Sequence, residues 1–276
     1  MKIDHVKILL PEPEKASAFY QRVFGLIDMG SKDNYILLSS HPADGDVSAG
    51  EVWIGEGSTA KFESVAIGVE DLEPWREKVR NNPALGTESD TAVTIKPPAA
   101  HTVEILQHSE RVSKGESKSP FHITKLGHVT FRDPNSPEVY KFYTNELGFR
   151  LSDQYEDVFF WMRCNEDHHT VAVAPGKASG LHHIAFELGD WNDVKLMCDH
   201  FASEGFRLEA GPGRHGPGNN IFTYAVDPFG IRWEFFCEMN RIYDEENYVP
   251  KIWRGERSST STNIWGVVPP DSYFQG

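Results

Sequence analysis

The chain has 276 residues, of which 39% are hydrophobic and 25% are charged, so it has room for about two globular domains and is not globally disordered. Its 41 acidic and 27 basic residues give a formal net charge of −14. A charge of this sign repels nucleic-acid phosphates and anionic membrane surfaces, so we expect neither as a partner.

The first half of the chain opens with a strand that contains His5 and continues into a helical pattern that ends at Gly25. Pro11 interrupts the apolar start before a signal-peptide core or a membrane-spanning segment could form. A second strand, with Ser64, precedes another helical pattern, and the half ends in a strand around Glu104. The three cysteines are too few for a disulfide framework, so we expect a cytoplasmic protein.

The second half repeats the pattern of the first with the same spacing. His5 precedes Tyr20 by fifteen residues, and His128 precedes Tyr143 by the same number. The half then continues with a strand that contains His183, another helical pattern and a strand around Glu234, which match the Ser64 and Glu104 strands. A repeat of this length is typical of a duplicated domain.

Local signals support the helices of the second half. Asn135 or Ser136 can cap the first of them, and Gly148 can supply the left-handed residue after it. Asp190 is placed to cap the second. The sequence therefore predicts an α+β fold of two tandem modules, each built from two units of strand, helix and further strands.

Two polar or aromatic-rich stretches lie outside the repeat. Residues 109–120 are polar and without pattern, and we interpret them as a linker. Residues 238–276 form a tail in which four large aromatic side chains could cover the second module as a lid: Tyr243, Tyr248, Trp253 and Trp265. The predicted domains are 1–110, 121–237 and 238–276.

Alignment of the two halves brings three positions into correspondence. The second half has His128, His183 and Glu234, whereas the first has a serine in place of the second histidine. Two histidines and one carboxylate form the facial triad of non-haem Fe(II) oxygenases, and the same set can hold catalytic zinc. Ordinary strand residues are the alternative. His182 must point to the face of its strand opposite to His183, and the repeat favours His183 as the ligand.

Several spaced motifs in the second half carry a family resemblance. They are the strand Leu181–Phe186, the run Gly211–Gly216, and the residues Tyr224, Asp227 and Glu234 that follow it. On these motifs, the chain resembles the type I extradiol ring-cleavage dioxygenases of the vicinal oxygen chelate superfamily, in the branch of catechol 2,3-dioxygenase and homoprotocatechuate 2,3-dioxygenase. Trp161 and His169 also fall where that branch has a pocket tryptophan and an active-site histidine.

The resemblance implies a fold, a reaction and a set of roles. Each module would consist of paired βαβββ units in a curved, partly open barrel, with the tail as a lid and the first module without metal. The reaction would be extradiol cleavage of a catechol by O2, with Fe(II) or Mn(II) as the cofactor, in a homotetramer. His128, His183 and Glu234 would bind the metal; His169, His215 and Tyr224 would be catalytic; Trp161, Thr130, Ala210 and Arg214 would contact the substrate.

At one position the chain differs from the members of this branch that act on carboxylated catechols, and this difference limits the expected range of substrates. Members that act on carboxylated catechols have an arginine five residues before the loop histidine, and this chain has Ala210 there. We therefore expect a neutral catechol with alkyl or halogen substituents. A carboxylated or bicyclic catechol is the alternative, followed by a glyoxalase-like metal isomerase and a non-catalytic binding protein of the same fold.

Overall fold

The computed structural model describes residues 1–41, 50–108, 119–256 and 261–274. The chain divides into two compact units, Met1–Leu126 and Gly127–Gly276. All but the last two residues of the predicted linker, 109–120, lie outside the described residues. The predicted domain bounds of 1–110, 121–237 and 238–276 stay a prediction.

The first unit contains eight strands and two helices in its described residues. Its elements are β1 (Lys2–Leu10), α1 (Pro13–Val23), β2 (Ile27–Lys32), β3 (Tyr35–Ser39), β4 (Val52–Glu56), β5 (Lys61–Val69), α2 (Glu73–Asn81), β6 (Gly86–Glu88), β7 (Ala92–Ile95) and β8 (Thr102–Gln107). The strands form one sheet in the order β2-β3-β4-β1-β5-β8-β7-β6. It is therefore made of two βαβββ units joined through the antiparallel pair β1 and β5.

The second sheet repeats this arrangement and gains one strand from the tail. Its elements are β9 (Ile123–Asp133), α3 (Ser136–Asn145), β10 (Arg150–Tyr155), β11 (Phe159–Arg163), β12 (Val171–Pro175), β13 (Gly180–Leu188), α4 (Trp191–Ser203), β14 (Ala210–Arg214), β15 (Ile221–Val226), β16 (Arg232–Cys237), β17 (Lys251–Trp253) and α5 (Asp271–Phe274). The strand order is β14-β15-β16-β13-β9-β12-β11-β10-β17. Both sheets are open, and the prediction of an α+β fold with two repeated modules is confirmed.

Alternation along the central strands separates a helix-packed face from a polar face. Phe186 of β13 stacks on Trp233 of β16 with ring centroids 5.8 Å apart, and Phe201 of α4 packs against Phe235 at 5.2 Å. Because successive strand residues point to opposite sides of a sheet, Glu234 faces away from this aromatic layer. The sequence of β16 thereby buries its apolar residues under α4 and presents a carboxylate on the other side.

Two of the predicted helix signals are confirmed and one is wrong. The Asp190 carboxylate accepts hydrogen bonds from the backbone N–H groups of Asn192 and Asp193, which caps α4. Gly148 has a φ of +71°, in the left-handed region that glycine favours. At the start of α3, however, neither Asn135 nor Ser136 provides a side-chain cap, because the Ser136 hydroxyl donates to the Val158 carbonyl instead.

The aromatic residues of the tail are less buried than the sequence suggested. Tyr243 is 79% exposed and Trp265 is 49% exposed, so the prediction that they bury their rings is wrong. Tyr248 and Trp253 are half-buried, and both donate hydrogen bonds to Asp153 of β10. The tail therefore attaches to the sheet through a carboxylate as well as through apolar contacts.

No helix in the described parts of the chain is long and apolar enough to cross a membrane. Cys164, Cys198 and Cys237 are all free thiols. Burial raises the pKa of Cys164 to about 11 and that of Cys237 to about 12, so both thiols are protonated near neutral pH. Neither thiol has the features of a nucleophile.

Buried His101 predicts that acid weakens the first unit. Burial lowers its pKa from 6.5 to about 3, so the unfolded chain takes up a proton at a higher pH than the folded chain. Stability is therefore lost as the pH falls from about 6.5 towards 3. The free energy of unfolding, measured by denaturant titration, should decrease between pH 7 and pH 5 in both proteins. We expect this decrease to be about 1–2 kcal/mol smaller in His101→Gln than in the unsubstituted chain. Equal losses in the two proteins would contradict this prediction.

Candidate active site

Three donor atoms converge on the polar face of the second sheet. His128 lies on β9, His183 on β13 and Glu234 on β16, three neighbouring strands. The Nε2 atoms of His128 and His183 are 3.1 Å apart, and each lies 3.0–3.1 Å from Oε2 of Glu234. All three side chains are buried. The fold thus brings together residues that are far apart in sequence.

This triangle of donors fits a divalent metal ion. Donors on one face of an octahedron, each about 2.1 Å from a central ion, are about 3 Å apart, which matches the observed separations. The corresponding edge of a tetrahedral site is longer, about 3.4 Å. Among the described residues, these three are also the group of histidine, cysteine and acidic side chains that could hold a metal ion. The set can therefore bind a metal through one face and leave other positions open.

The histidine beside this set fixes the orientation of one donor. Nε2 of His182 donates to the backbone carbonyl of Tyr273, and burial lowers the pKa of His182 well below its usual value, so the ring is neutral. Its Nδ1 must then accept a hydrogen bond from Nδ1 of His183, 2.5 Å away. Nε2 of His183 is left with a lone pair, which is the form that binds a metal.

The placement of His182 corrects a sequence prediction. It does not point away from His183, because the two ring centroids are 4.8 Å apart and both rings border the same cavity. The pairing of β13 with β16 starts at Ile184. His182 lies before the paired residues, so β16 does not force its side chain onto the face opposite to that of His183. The contact with the Tyr273 carbonyl then holds the ring over His183.

Charge in the site is balanced between the acid and the imidazoles. Burial raises the pKa of Glu234, but His128 and His183 lower it more, and the result is a carboxyl pKa well below its usual value. Burial lowers the pKa of His183 to about 4, with Glu234 opposing the shift. Near neutral pH the site therefore holds a carboxylate and an unprotonated His183, as metal binding requires.

A short chain of hydrogen bonds extends from Glu234. The Tyr224 hydroxyl lies 2.9 Å from Oε2 of Glu234 and 2.9 Å from Nε2 of His215. Nδ1 of His215 donates to the Thr262 carbonyl, so the tail orients this ring. Burial raises the pKa of Tyr224 well above its usual value, and the hydroxyl keeps its proton. The hydroxyl has one proton, so it can donate a hydrogen bond to the Glu234 carboxylate or to the His215 imidazole, but not to both.

His169 lies on the other side of the donor set, in the connection between β11 and β12. Its ring centroid is 4.4 Å from that of His128, and the side chain is buried. Burial lowers the pKa of His169 well below its usual value, and the nearby His128 and His168 lower it further. A neutral imidazole at this position can accept a proton from a bound molecule and return it.

The donor set opens into one cavity, bordered by aromatic side chains and by the tail. Its lining residues are His128, Thr130, Phe159, Trp161, His169, Ala174, His182, His183, His215, Pro217, Tyr224, Glu234, Ser261, Thr262 and Tyr273. The structure thus brings His169, His215, Tyr224, Trp161 and Thr130 to the metal-ligating group. Oγ1 of Thr130 is buried, and it makes no hydrogen bond within the described chain.

Two predicted substrate contacts lie outside this cavity. Ala210 pairs with Tyr224 across β14 and β15 and packs behind it, where Phe222 and Tyr273 also lie. Arg214 donates to the Asn219 carbonyl and to Glu238 on the surface. The pairing of β14 with β15 has a register shift between Ala210 and Gly213. Neither Ala210 nor Arg214 is among the residues that border the cavity, and their contact with the substrate stays a prediction.

Two further residues complete the site, and sequence reasoning did not find them. Nδ2 of Asn220 donates to Oε1 of Glu234, the oxygen that is not part of the donor triangle. Tyr273 of α5 is buried, and its ring packs against that of Tyr224 with centroids 4.9 Å apart. Its carbonyl is held by Arg132 as well as by His182. The sequence contains no pattern that marks Asn220 or Tyr273, and the only hint of these contacts is the pair of adjacent histidines, His182 and His183.

The equivalent positions of the first unit are occupied differently. Glu104 accepts hydrogen bonds from Nζ of Lys7 at 2.8 Å and from the Ser64 hydroxyl at 2.6 Å. His5 stacks on Trp53 with ring centroids 4.2 Å apart and contacts Asp4 through Nδ1. The carboxylate that corresponds to Glu234 is thus neutralised by a lysine ammonium group from the same unit.

The second half of the chain is similar to a known superfamily. Residues 125–235 match the family model described as Glyoxalase/Bleomycin resistance protein/Dioxygenase superfamily. The named relatives are extradiol dioxygenases. Metapyrocatechase 2 of Cupriavidus necator is 35% identical over 54% of this chain and 46% of its own length, and an iron-dependent extradiol dioxygenase of Rhodococcus jostii is 29% identical over 64% and 63%.

Other comparisons extend over nearly the whole chain. A manganese-dependent 2,3-dihydroxybiphenyl 1,2-dioxygenase of Geobacillus genomosp. 3 is 24% identical over 96% of this chain and 93% of its own. Homoprotocatechuate 2,3-dioxygenase of Brevibacterium fuscum has a TM-score of 0.85 at 22% identity, covering 99% of this chain and 81% of that one. A Mn(II)-bound glyoxalase of Novosphingobium aromaticivorans also scores 0.85, at 22% identity and with coverage of 100% and 93%. At this identity the structural likeness concerns the fold.

Proposed function

We propose that this protein is an extradiol ring-cleavage dioxygenase that opens a neutral catechol with O2 next to its two hydroxyl groups. The observation that carries the proposal is the triangle of His128, His183 and Glu234, which opens into a cavity bordered by His169, His215 and Tyr224. The donor set fits a metal with open positions, and the other three residues can hold or move protons beside it. The names of the curated relatives support the same activity.

The proposed cofactor is Fe(II), held by His128, His183 and Glu234. When bound, the metal would lower the pKa of a catechol hydroxyl and give dioxygen a position beside the ring. One relative is named as iron-dependent and another as manganese-dependent, so Mn(II) is the alternative. Both ions accept two imidazoles and a carboxylate.

Tyr224 and His215 are proposed to bind the two catechol oxygens in unequal protonation states. Both residues are connected through the Tyr224 hydroxyl, which has one proton for two partners. A bound catecholate oxygen can accept that proton, while His215 is held in place by the Thr262 carbonyl. Such fixed, directional contacts orient the ring and make its two oxygens chemically different.

His169 is proposed as the acid and base of the reaction. Its lowered pKa makes it neutral before substrate binds, so it can take the second catechol proton. The imidazolium then returns this proton to the oxygen that leaves during O–O cleavage. No net proton is consumed by this exchange, because the proton that His169 delivers is the one that it received.

The lining of the cavity favours an uncharged aromatic ring as the substrate. Among the described residues that border it, Phe159, Trp161 and Tyr273 supply large apolar surfaces, and none is a lysine or an arginine. A substrate carboxylate would therefore enter without a cationic partner, at a high desolvation cost. A bicyclic or carboxylated catechol is the alternative substrate class.

Tyr273→Ala is expected to widen the cavity for larger catechols. The substitution removes a ring that borders the cavity and packs on Tyr224, while the backbone carbonyl that holds His182 is kept. We expect the ratio of kcat/KM for 2,3-dihydroxybiphenyl to that for catechol to increase about tenfold, as for other changes of pocket volume. Phe274→Ala is the matched control, because this neighbour is 39% exposed. An unchanged ratio in both variants would show that Tyr273 does not limit substrate size.

Two alternative functions use the same fold. A glyoxalase-like metal isomerase is favoured by the structural likeness to a glyoxalase, but here a single unit supplies all three donors. A non-catalytic binding protein would have no need for His169, His215 and Tyr224 around the metal. Both alternatives are therefore weaker than the dioxygenase.

The homotetramer and the cytoplasmic location stay predictions. Several apolar side chains of the tail are largely exposed in the single chain, among them Tyr243 and Val249. Size-exclusion chromatography with light scattering will give the oligomeric state. A monomer at micromolar concentration would contradict the tetramer.

Oxygen uptake by the iron-loaded protein tests the proposed function. The anaerobically reconstituted Fe(II) protein is mixed with catechol, 3-methylcatechol or 4-methylcatechol in aerated buffer. The visible spectrum is recorded while an oxygen electrode measures the oxygen concentration. We expect a yellow ring-opened semialdehyde and one O2 consumed per catechol. Iron-loaded protein that consumes no oxygen with these substrates or with carboxylated and bicyclic catechols would contradict the proposal.

A further inference from the structure

The two oxygens of the Glu234 carboxylate have different surroundings. Oε2 faces the donor triangle, where it lies 3.0–3.1 Å from Nε2 of His128 and from Nε2 of His183. Oε1 accepts a hydrogen bond from Nδ2 of Asn220 at 3.0 Å. The carboxylate is therefore oriented with one oxygen towards the metal position and the other towards an amide.

The side chain of Asn220 is dedicated to this contact. The residue comes directly before β15 and is fully buried. Its Oδ1 is also buried and makes no hydrogen bond within the described chain, so Glu234 is the hydrogen-bond partner of this amide there. Because an ionised carboxylate can only accept hydrogen bonds, the amide must present an N–H group to it.

The backbone around Asn220 fixes the position of the amide. The Asn220 carbonyl accepts a hydrogen bond from the His215 backbone N–H at 3.0 Å, which closes the connection between β14 and β15. Gly218 in this connection has a φ of +74°, and a Cβ there would lie only 3.2 Å from Oδ1 of Asn220. A glycine therefore allows the turn and leaves room for the amide beside it.

We propose that Asn220 is a positioning residue that makes Glu234 bind the metal through Oε2 alone and so keeps one coordination position free for dioxygen. The inference deepens the proposed function and rests on the metal site in it. A carboxylate can bind a metal ion through one oxygen or through both. The hydrogen bond from Asn220 engages Oε1 and opposes the second mode. Asn220 does not border the cavity, so it acts through Glu234.

The number of free positions decides whether catechol and dioxygen can bind together. An octahedral ion that is held by two imidazoles and one carboxylate oxygen has three positions left. A chelating catechol fills two of them, and dioxygen needs the third. A carboxylate that bound through both oxygens would take this third position, and dioxygen would have no place beside the ring.

Two substitutions remove the amide without adding a charge. Asn220→Leu keeps a side chain of similar volume, and Asn220→Ala is a smaller second variant. Thr223→Val is the matched control, because Thr223 is fully buried on β15 and its hydroxyl donates to the Phe235 carbonyl of β16. This control loses one buried hydrogen bond between the same two strands but leaves both oxygens of Glu234 as they are. Circular dichroism will show that each variant is folded.

Nitric oxide binding reports the free position without any turnover. Nitric oxide binds ferrous iron where dioxygen would but does not open the catechol ring, and electron paramagnetic resonance detects the complex. Each iron-loaded protein is titrated anaerobically with nitric oxide, with and without saturating catechol. With catechol present, we expect the Asn220 variants to bind nitric oxide about tenfold more weakly or worse, and without catechol to differ by less than about twofold. Thr223→Val should match the unsubstituted protein in both titrations.

Three outcomes separate this inference from the proposed function. Normal nitric oxide binding by the catechol complexes of both Asn220 variants would overturn the inference. Equal weakening with and without catechol would also overturn it, because the site as a whole would then be impaired. If the unsubstituted protein binds catechol and nitric oxide together but opens no ring, the proposed function fails and the role of Asn220 stands.

Crystals of the metal-loaded proteins show the carboxylate directly. In the unsubstituted Fe(II) protein, grown without oxygen, we expect Oε2 of Glu234 at bonding distance from the metal and Oε1 still on Asn220. In Asn220→Leu we expect both oxygens at bonding distance. A carboxylate that binds through one oxygen in this variant, or through both in the unsubstituted protein, would contradict the role assigned to Asn220.

Discussion

Glu234→Ala should yield a folded protein that has lost its divalent metal. Glu234 supplies the carboxylate of the donor triangle, and its Oε2 lies 3.0–3.1 Å from both imidazole donors. Without it, two neutral imidazoles would face a divalent cation in a buried cavity with no compensating charge. We expect metal affinity to fall by at least about 10²-fold, the upper end for loss of a supporting group, and ring cleavage to fall with it.

The first unit provides a matched control for this substitution. Glu104 holds the corresponding position on β8, where it is bound by Lys7 and Ser64. Glu104→Ala should therefore keep one metal per chain, as determined by inductively coupled plasma mass spectrometry after dialysis. Circular dichroism will show whether each variant is folded. A fully metallated Glu234→Ala protein would mean that the donor triangle is not the metal site.

His169→Phe should retain the metal and bind catechol but turn over about 10²-fold more slowly or worse. The phenyl ring fills a similar volume beside His128, so the donor set stays intact, but it can neither accept nor donate a proton. General acid and base help from one side chain usually contributes about 10²–10⁴-fold, which sets the expected loss. The effect should appear in kcat rather than in the affinity for catechol.

Metal content and catechol binding are measured alongside turnover for this variant. Anaerobic titration with catechol gives the affinity, and stopped-flow mixing with oxygenated buffer gives the rate of ring opening. His200→Phe, on the half-buried face of α4, is the control for a histidine outside the site. An unchanged kcat in His169→Phe would remove His169 from the proposed mechanism.

The repeat, together with the family resemblance, made the fold and the donor set predictable from sequence. His128 and His183 occupy the same place in two consecutive βαβββ units, and Glu234 ends the second unit as Glu104 ends the first half. Central strands that pair side by side must bring such positions together, whatever the loops do. Positions more than fifty residues apart can therefore be assigned to one site from the sequence.

The repeat does not predict the contacts that the tail makes or the effects of irregular strand pairing. Tyr273 reaches the cavity and holds His182 from 91 residues away, and no periodic pattern encodes such a contact. In the sequence Asn220 is one polar residue among many, and only the fold shows that its side chain donates a hydrogen bond to Glu234. Ala210 lies five residues before His215 in the sequence, but it pairs with Tyr224 next to a register shift in β14 and does not border the cavity.

The Lys7–Glu104 pair gives the two halves of the chain a different dependence on their surroundings. In the first unit the counter-charge is part of the polypeptide, so a chelator has nothing to extract and the polar cluster is complete as soon as the chain folds. In the second unit the counter-charge would be the proposed metal ion, which has to be acquired from solution. Starvation for metal should therefore loosen one half of the molecule selectively, and amide hydrogen exchange after chelation should increase around β9, β13 and β16 while β1, β5 and β8 stay protected.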